Sequence, residues 1–150
     1  MQKTLLMIKP EGMADFREIT IMLETRGLII CESMDIECQE DFLRKLYKDQ
    51  SGGFWEVNKE YLVGKKCKLL MIQGEDAVSR LFELAGGHYN PENCHKDTIR
   101  YIFGKRKTYI GKNGRELFLN AVHRSSPENA EYEVALFKEY YKLQKKDEEK

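Results

Sequence analysis

The segment NAVHRSSPENAEYE, which begins at Asn120, places an ionisable ring just before the start of a helix. His123 closes an apolar run, and Ser126 and Pro127 have the residue types that cap and open helices, because proline lacks the N–H that would be unpaired there. The positive end of a nearby helix dipole favours the neutral imidazole, whose free nitrogen can act as a nucleophile. Backbone N–H groups at the same helix start can receive a phosphate.

Glu133 is a second group in this segment with a chemical use. Apolar residues recur along the final helix, and Glu133 lies at the edge of that apolar face. A carboxylate in this position can hydrogen-bond the imidazole of His123 and fix its tautomer. The alternative is that His123 is a half-buried residue at a strand end and Glu133 a solvated helix charge. On spacing alone we favour this packing interpretation.

Apolar periodicity predicts a single domain over residues 1–150 in which strands and helices alternate. Short apolar runs predict four strands, in TLLMIK, LIICESMDIEC, CKLLMIQG and LFLNAV. Helical spacing follows Asp15, occurs twice between Glu40 and Gly64, and returns after Ala77 and after Pro127. A long irregular segment is predicted between the fourth helix and the last strand, interrupted only by TIRYIF. The charged tail from about residue 143 is expected to fray into solvent.

The overall composition argues against several classes of protein. Lysine and arginine total 25, as do aspartate and glutamate, so there is no net charge that would attract nucleic acid or an anionic membrane. No apolar run approaches the roughly 20 residues that cross a bilayer, and the N-terminus lacks the pattern of a signal peptide. Four cysteines without a C-x-x-C pair are expected to be reduced packing residues, with a zinc site or disulfides as the alternative. We therefore expect a cytoplasmic protein.

Three segments together resemble the nucleoside diphosphate kinase family: MIKPEG, NP…TIR and NAVHRSSPENAEYEVALF. The similarity runs in order from about Thr4 to Tyr140. It implies a ferredoxin-like α/β (α+β) sandwich, in which helices cover a four-stranded antiparallel sheet. It also implies an enzyme that moves the γ-phosphate of a nucleoside triphosphate onto a diphosphate by a ping-pong mechanism through a phosphohistidine. The family uses Mg²⁺, which the nucleotide phosphates carry without direct protein ligands, and its members are homo-oligomers.

The resemblance assigns catalytic roles to three residues and reverses the packing interpretation of His123. His123 corresponds to the histidine that is phosphorylated, Glu133 to the glutamate that orients it, and Lys9 to a lysine that reaches the sugar and phosphates. A neutral imidazole suits this work, because its nitrogen attacks near pH 7 and the bond that it forms to phosphorus remains reactive.

The resemblance also assigns nucleotide contacts. Arg100 corresponds to a phosphate-binding arginine, Asn120 to an asparagine on the sugar, and Tyr47 to a tyrosine that lines the site, while Ser125 lies near the histidine. Phe54 is matched with the aromatic ring on which the base stacks, with Trp55 as the neighbouring alternative. Stacking of this kind tolerates every base, because each base has a π-face.

Two positions depart from the family pattern on the phosphate side of the predicted site. Glu83 stands where the family has an arginine, and Arg80, almost one turn earlier, is the candidate replacement. Tyr89 stands where the family has a threonine that contacts phosphate. A tyrosine hydroxyl can donate the same hydrogen bond, but from further out. Phosphate binding on this side is therefore the open question.

A longer segment separates Arg100 from Asn120 than in the family, and it is basic. Its basic residues are Lys105, Arg106, Lys107, Lys112 and Arg115. One hypothesis is that they supply the phosphate-neutralising charge that the altered positions lack. The favoured alternative is a solvated surface hairpin that turns at KNG.

Three functions fit these residues. The first is an active phosphotransferase; the second is a catalytically weakened nucleotide-binding homologue that acts as a scaffold or regulator. The third is a nucleic-acid-binding module that uses the basic insertion, which zero net charge argues against. The joint presence of the histidine, glutamate, lysine, arginine and asparagine favours the first, with nucleoside tri- and diphosphates as substrates and no membrane partner.

Overall fold

The structure, a computed structural model, describes residues 1–149. The strands are β1 (Gln2–Ile8), β2 (Ile29–Glu37), β3 (Lys66–Gly74), β4 (Thr108–Ile110), β5 (Glu116–Phe118) and β6 (Val122–Arg124). The helices are α1 (Phe16–Thr25), α2 (Glu40–Leu46), α3 (Gly52–Leu62), α4 (Ala77–Ala85), α5 (Ile99–Phe103) and α6 (Ala130–Glu148). Short 3₁₀ turns occupy Pro10–Asp15, Pro91–Asn93 and Pro127–Asn129.

The main sheet has the strand order β2-β3-β1-β6, and all of its pairings are antiparallel. Its central strands are buried on both faces, because side chains alternate along a strand and helices cover each side. On one face, Leu5 and Met7 pack with residues of α2, α3 and α6. On the other, Leu6 and Ile8 pack with residues of α1, α4 and α5. The predicted ferredoxin-like sandwich is confirmed.

The prediction that LFLNAV forms the fourth strand is wrong. Its first two residues belong to β5, which pairs with β4 in a separate hairpin, and its last residue begins β6 at the edge of the main sheet. The chain turns between them at Ala121, whose φ of 73° is in the left-handed region. Backbone hydrogen bonds hold this turn: Lys9 N–H donates to the Ala121 carbonyl at 2.9 Å, and Ala121 N–H donates to Glu11 Oε2 at 3.1 Å.

Gly12 is required next to this turn. A Cβ atom at Gly12 would lie 2.6 Å from the Ala121 carbonyl oxygen, a backbone atom that cannot move aside. The loop Pro10–Gly12 after β1 and the turn at Ala121 before β6 therefore pack directly against each other. This contact brings Lys9 close to the segment that contains His123.

The chain on either side of β6 also differs from the predicted pattern. The predicted irregular segment before the last strand contains α5 and β4. Ser126 is at the N-cap of a 3₁₀ turn that Pro127 opens, but its side chain forms no capping hydrogen bond, and α6 proper begins at Ala130. The charged tail that was expected to fray is helical through Glu148. Within residues 1–149, no helix has the length and apolar character needed to cross a membrane.

Candidate active site

A cleft of about 760 Å³ opens at the edge of the sheet beside β6. The predicted site residues that line it are Lys9, Tyr47, Phe54, Tyr89, Arg100, Asn120 and His123. Of two further predicted residues, Glu133 contacts His123 directly and Ser125 hydrogen-bonds to Glu133. The fold thus brings together residues from four separate parts of the chain.

His123 is held by a buried carboxylate. Its Nε2 lies 2.8 Å from Oε1 of Glu133, which is only 2% exposed. The same oxygen accepts a hydrogen bond from Ser125 Oγ at 2.9 Å, and Ser125 Oγ in turn accepts one from Leu5 N–H at 3.3 Å. A carboxylate only accepts hydrogen bonds, so Nε2 carries the proton. Nδ1 is therefore the nitrogen with a free lone pair in the neutral ring.

Tyr47 packs against the other side of the imidazole. The two ring centroids are 4.9 Å apart at 69°, an edge-on arrangement. Burial raises the pKa of the Tyr47 phenol well above its ordinary value, so the hydroxyl keeps its proton and remains a possible donor. Between Glu133 and Tyr47, the ring of His123 is fixed in position as well as in tautomer.

Lys9 is a buried cation at the floor of the cleft, 4% exposed. Its Nζ donates to Asn120 Oδ1 at 3.1 Å and lies 3.5 Å from Glu11 Oε2. Burial lowers the pKa of Lys9, and the nearby Glu11 carboxylate only partly opposes this shift. Asn120 also donates from Nδ2 to the Tyr89 carbonyl at 2.9 Å.

Glu11 is a site residue that the sequence reasoning missed. It pairs with Lys9 and also accepts hydrogen bonds from the Tyr61 hydroxyl and from Ala121 N–H, at 3.0 and 3.1 Å. The available signal was its place in MIKPEG, two residues after Lys9. Its function depends on the left-handed turn at Ala121, which the local sequence did not reveal.

Arg100 is buried, and its guanidinium donates to backbone carbonyls. It donates to Val122 O through Nε and Nη2, at 3.3 and 3.0 Å, and through Nη1 to Gly86 O and His88 O, at 3.3 and 3.1 Å. Burial lowers its pKa, and repulsion from Arg124 lowers it further. Arg100 thus joins α5 to β6 while it lines the cleft.

Arg124 is the second residue that sequence reasoning missed. It lines the cleft directly after His123, and its guanidinium lies 4.2 Å from the ring centroid of Phe82. Because side chains alternate along a strand, the sequence places Arg124 on the face opposite His123. The sequence pattern therefore did not assign the two residues to one site. Because β6 is the edge strand, side chains on both of its faces reach the cleft.

The aromatic residues divide between cleft and core. Phe54, in the first turn of α3, lines the cleft and is 58% exposed. Trp55 is 9% exposed and packs in the core beneath the Arg44 guanidinium, 4.0 Å from the ring centroid. Tyr89 lines the cleft near Phe118, with 5.5 Å between centroids. The positions favour Phe54 over Trp55 as the stacking surface.

The structure does not bring Arg80 to the cleft. Its Nη1 donates to the Glu75 carbonyl at 3.1 Å, and the residue lines a separate depression with Glu83. The one-turn offset along α4 therefore does not make Arg80 a substitute for the family arginine, because that face of the helix points away from β6.

The basic insertion forms the hairpin β4–β5, which favours the surface-hairpin interpretation. None of its basic residues, all of them described by the structure, lines the cleft. Lys105 pairs with Asp15 at 3.9 Å, and the Arg115 guanidinium lies 4.6 Å from the Phe54 ring centroid. The hairpin instead contributes Glu116, Leu117 and Phe118 to the cleft wall.

A ferredoxin-like sheet that presents a carboxylate-held histidine to a cleft lined by cations has the arrangement expected of a phosphotransferase. A family model described as nucleoside diphosphate kinase matches residues 2–142. The chain belongs to this family, as the resemblance predicted, and its function as a nucleoside diphosphate kinase follows from that membership.

Individual relatives agree with this assignment. The nucleoside diphosphate kinase of Chlamydia muridarum is 33% identical over 149 residues, which cover 91% of this chain and 92% of the relative. The apo crystal structure of nucleoside diphosphate kinase from Encephalitozoon cuniculi has a TM-score of 0.72 at 28% identity, covering 91% of this chain and 88% of the other. A transition-state mimic of the Borrelia burgdorferi enzyme with bound vanadate and ADP has a TM-score of 0.78 at 22% identity, covering 90% and 85%. This last similarity supports the fold.

Proposed function

We propose that this nucleoside diphosphate kinase carries the transferred phosphoryl group on Nδ1 of His123. The observation that supports this most strongly is the 2.8 Å contact between Nε2 and the buried Glu133 carboxylate. It leaves Nδ1 as the nucleophilic nitrogen of a ring that lines the cleft.

The first half-reaction forms a P–N bond and breaks a P–O bond. The Nδ1 lone pair attacks the γ-phosphorus in line, and the oxygen that bridges the β- and γ-phosphates leaves with its electron pair on the nucleoside diphosphate. The imidazole, now bonded to phosphorus and still protonated at Nε2, gains positive charge that the Glu133 carboxylate stabilises. In the second half-reaction, a terminal oxygen of another diphosphate attacks the phosphorus and returns the electron pair to Nδ1.

Lys9, Arg100 and Asn120 are proposed to hold the nucleotide. Lys9 is a cation in a region with little water, where its attraction for phosphate is stronger than at a surface. Asn120 fixes the lysine through its Oδ1 and is the proposed sugar contact. Both residues are held before substrate binds, so little reorganisation is needed for transfer.

The remaining predicted contacts are proposed to surround the base and the transferred group. Phe54 presents an exposed ring to the cleft for stacking, which suits broad use of bases. Tyr89 lines the cleft opposite the sheet, Tyr47 supports the His123 ring, and Ser125 supports Glu133.

Mg²⁺ is proposed to enter with the nucleotide. The chemistry of the cleft fits this, because Lys9, Arg100 and Arg124 line it and can hold the phosphates that carry the ion. Mg²⁺ commonly binds through substrate phosphates and water. When bound, the ion supplies positive charge to the phosphate oxygens.

A homo-oligomer in the cytoplasm is proposed for the protein. Strand β2 is an edge of the main sheet, and Ile21 and Ile29 near it are 53% and 56% exposed, a surface that association would cover. All four cysteines are free thiols, which suits a reducing compartment. Light scattering coupled to size-exclusion chromatography measures the oligomer directly.

Label transfer tests the proposed carrier. The protein is incubated with triphosphate labelled at the γ-position, separated from nucleotide, and given an unlabelled diphosphate of a different base. We expect an acid-labile, alkali-stable phosphoprotein that discharges onto the acceptor, and no labelling of His123→Ala. His95→Ala is the matched control, because His95 is exposed and pairs with Asp97 outside the cleft. Labelling that persists in His123→Ala contradicts the proposal.

A further inference from the structure

Arg124 is a cation in the cleft that forms no ion pair with any residue from 1 to 149. Within residues 1–149 its side chain forms no hydrogen bond and no ion pair, and its Nε is buried without a hydrogen-bond acceptor. Its guanidinium lies over the ring of Phe82, 4.2 Å from the centroid. Buried polar groups in folded proteins nearly always have partners, so this donor is available to bind a ligand.

The charges around Arg124 favour an anion rather than water. Burial lowers the pKa of Arg124, and the more distant carboxylates of Glu133 and Glu128 oppose that shift only in part. Arg100, whose charge repels Arg124, lines the same cleft and donates its hydrogen bonds to backbone carbonyls rather than to a carboxylate. Two guanidinium groups that repel each other are both stabilised when an anion with several oxygens binds between them.

The position of Arg124 identifies which anion. Backbone pairing puts His123 opposite Met7 and Arg124 opposite Leu6, so the two residues are consecutive on the edge strand that borders the cleft. Arg124 therefore directly follows the proposed phosphoryl carrier, and its side chain lines the same cleft as the His123 ring. The Arg124 guanidinium lies over the Phe82 ring, and its planar fork can bind two phosphate oxygens at once.

We propose that Arg124 binds the phosphate chain of the nucleotide next to the transferred group, in place of the arginine that the family has at the position of Glu83. The inference rests on the proposed function, since it takes His123 as the phosphoryl carrier. The other candidates for this replacement lie elsewhere: Arg80 lines a separate depression, and the basic residues of the insertion do not line the cleft.

The inference is tested by comparing a phosphorylated ligand with an unphosphorylated one. Binding of ADP and of adenosine is measured by calorimetry on the full chain for wild type, Arg124→Gln and Arg124→Lys. Arg106→Gln is the matched control, because the Arg106 guanidinium also stacks on an aromatic ring, 4.7 Å from the Tyr101 centroid, but outside the cleft.

We expect Arg124→Gln to weaken ADP binding by about 10- to 100-fold, the effect of losing a charge-assisted hydrogen bond, with adenosine binding unchanged. Arg124→Lys keeps the charge without the planar fork, so we expect it to lose less ADP affinity than Arg124→Gln but to bind ADP more weakly than wild type. Arg106→Gln is expected to match wild type for both ligands. Thermal unfolding of each variant shows whether Arg124→Gln is folded; if it is not, the lysine variant alone decides.

Two results would overturn the inference. One is ADP binding that matches wild type in Arg124→Gln, or in Arg124→Lys if only that variant folds. The other is an equal loss of ADP and adenosine binding, which would mean that Arg124 shapes the cleft rather than binding phosphate. Failure of the proposed function has a different signature, because wild type would then form no phosphohistidine whatever the Arg124 variants do.

Discussion

The Glu133 carboxylate lies 2.8 Å from His123 Nε2 and shares the same oxygen with the Ser125 hydroxyl. Since Glu133 is on α6 and His123 on β6, the first turn of the helix fixes the orientation of the ring on the strand. The histidine lies just before a helix because the helix supplies the carboxylate that accepts the Nε2 proton and leaves Nδ1 free.

Replacement of Glu133 by Gln is expected to slow phosphorylation of His123. The amide keeps the size of the side chain but removes the negative charge that stabilises the ring as it gains positive charge, so we expect a loss of about 10- to 1,000-fold. Single-turnover labelling measures the rate. Glu131→Gln is the control, because Glu131 is in the same first turn of α6 but exposed. Equal rates for both variants would contradict the assigned role of Glu133.

Phe54 and Trp55 are expected to respond in opposite ways to truncation. Phe54→Ala removes an exposed ring from the cleft, so nucleotide affinity should fall by about 1–3 kcal/mol for every base, with little change in stability. Trp55→Ala removes a buried ring from the core, and we expect the free energy of unfolding to fall by about 3–5 kcal/mol. Calorimetric binding and urea unfolding of both variants separate the two effects. A large loss of stability in Phe54→Ala would place that ring in the core.

As pH rises, nucleotide binding is expected to weaken at a lower pH than it would if the phosphate-binding lysine were exposed. In the nucleotide-free protein, burial lowers the pKa of Lys9 below its ordinary value of 10.5. Bound phosphate raises this pKa again because it favours the charged form. Affinity is therefore full below the free-protein pKa of Lys9 and falls as pH rises through it. Binding of ADP measured between pH 7 and pH 10 checks this, and Lys9→Met should remove the dependence. An unchanged pH profile in Lys9→Met would assign the titration to another group.

Arg100 is expected to support stability as well as binding. Arg100→Met leaves the buried carbonyls of Val122, Gly86 and His88 without their donor, so the free energy of unfolding should fall by about 1–3 kcal/mol or more. Arg124→Gln removes no such bond and should leave stability near wild type. Urea unfolding of the two variants distinguishes them. Similar stability losses in both would contradict the distinction between these arginines.

Elements with strong local patterns could be predicted from the sequence. The runs of β1 and β3 are apolar on both faces, and Gly27 and Gly86 mark helix ends, so these elements and their order followed from local residue types. The ordered segments that contain Lys9, Arg100, Asn120, His123 and Glu133 indicated the family. The structure brings the first four to one cleft and places Glu133 against His123.

The remaining features depend on contacts between distant parts of the chain. LFLNAV has a strand pattern throughout, but Ala121 takes a left-handed conformation because Lys9 and Glu11 bind its backbone. Arg124 alternates away from His123 along β6 and still lines the cleft, because β6 is the edge strand of the main sheet. Neither fact is encoded in neighbouring residues.

The site of phosphorylation on the imidazole tests the central claim most directly. The protein is labelled with γ-labelled triphosphate and digested under alkaline conditions, and the phosphohistidine isomer is identified by ³¹P NMR and mass spectrometry. We predict a single phosphate on Nδ1 of His123 that disappears when a nucleoside diphosphate is added. Phosphate on Nε2, on another residue, or on Nδ1 but inert to diphosphate would contradict the account.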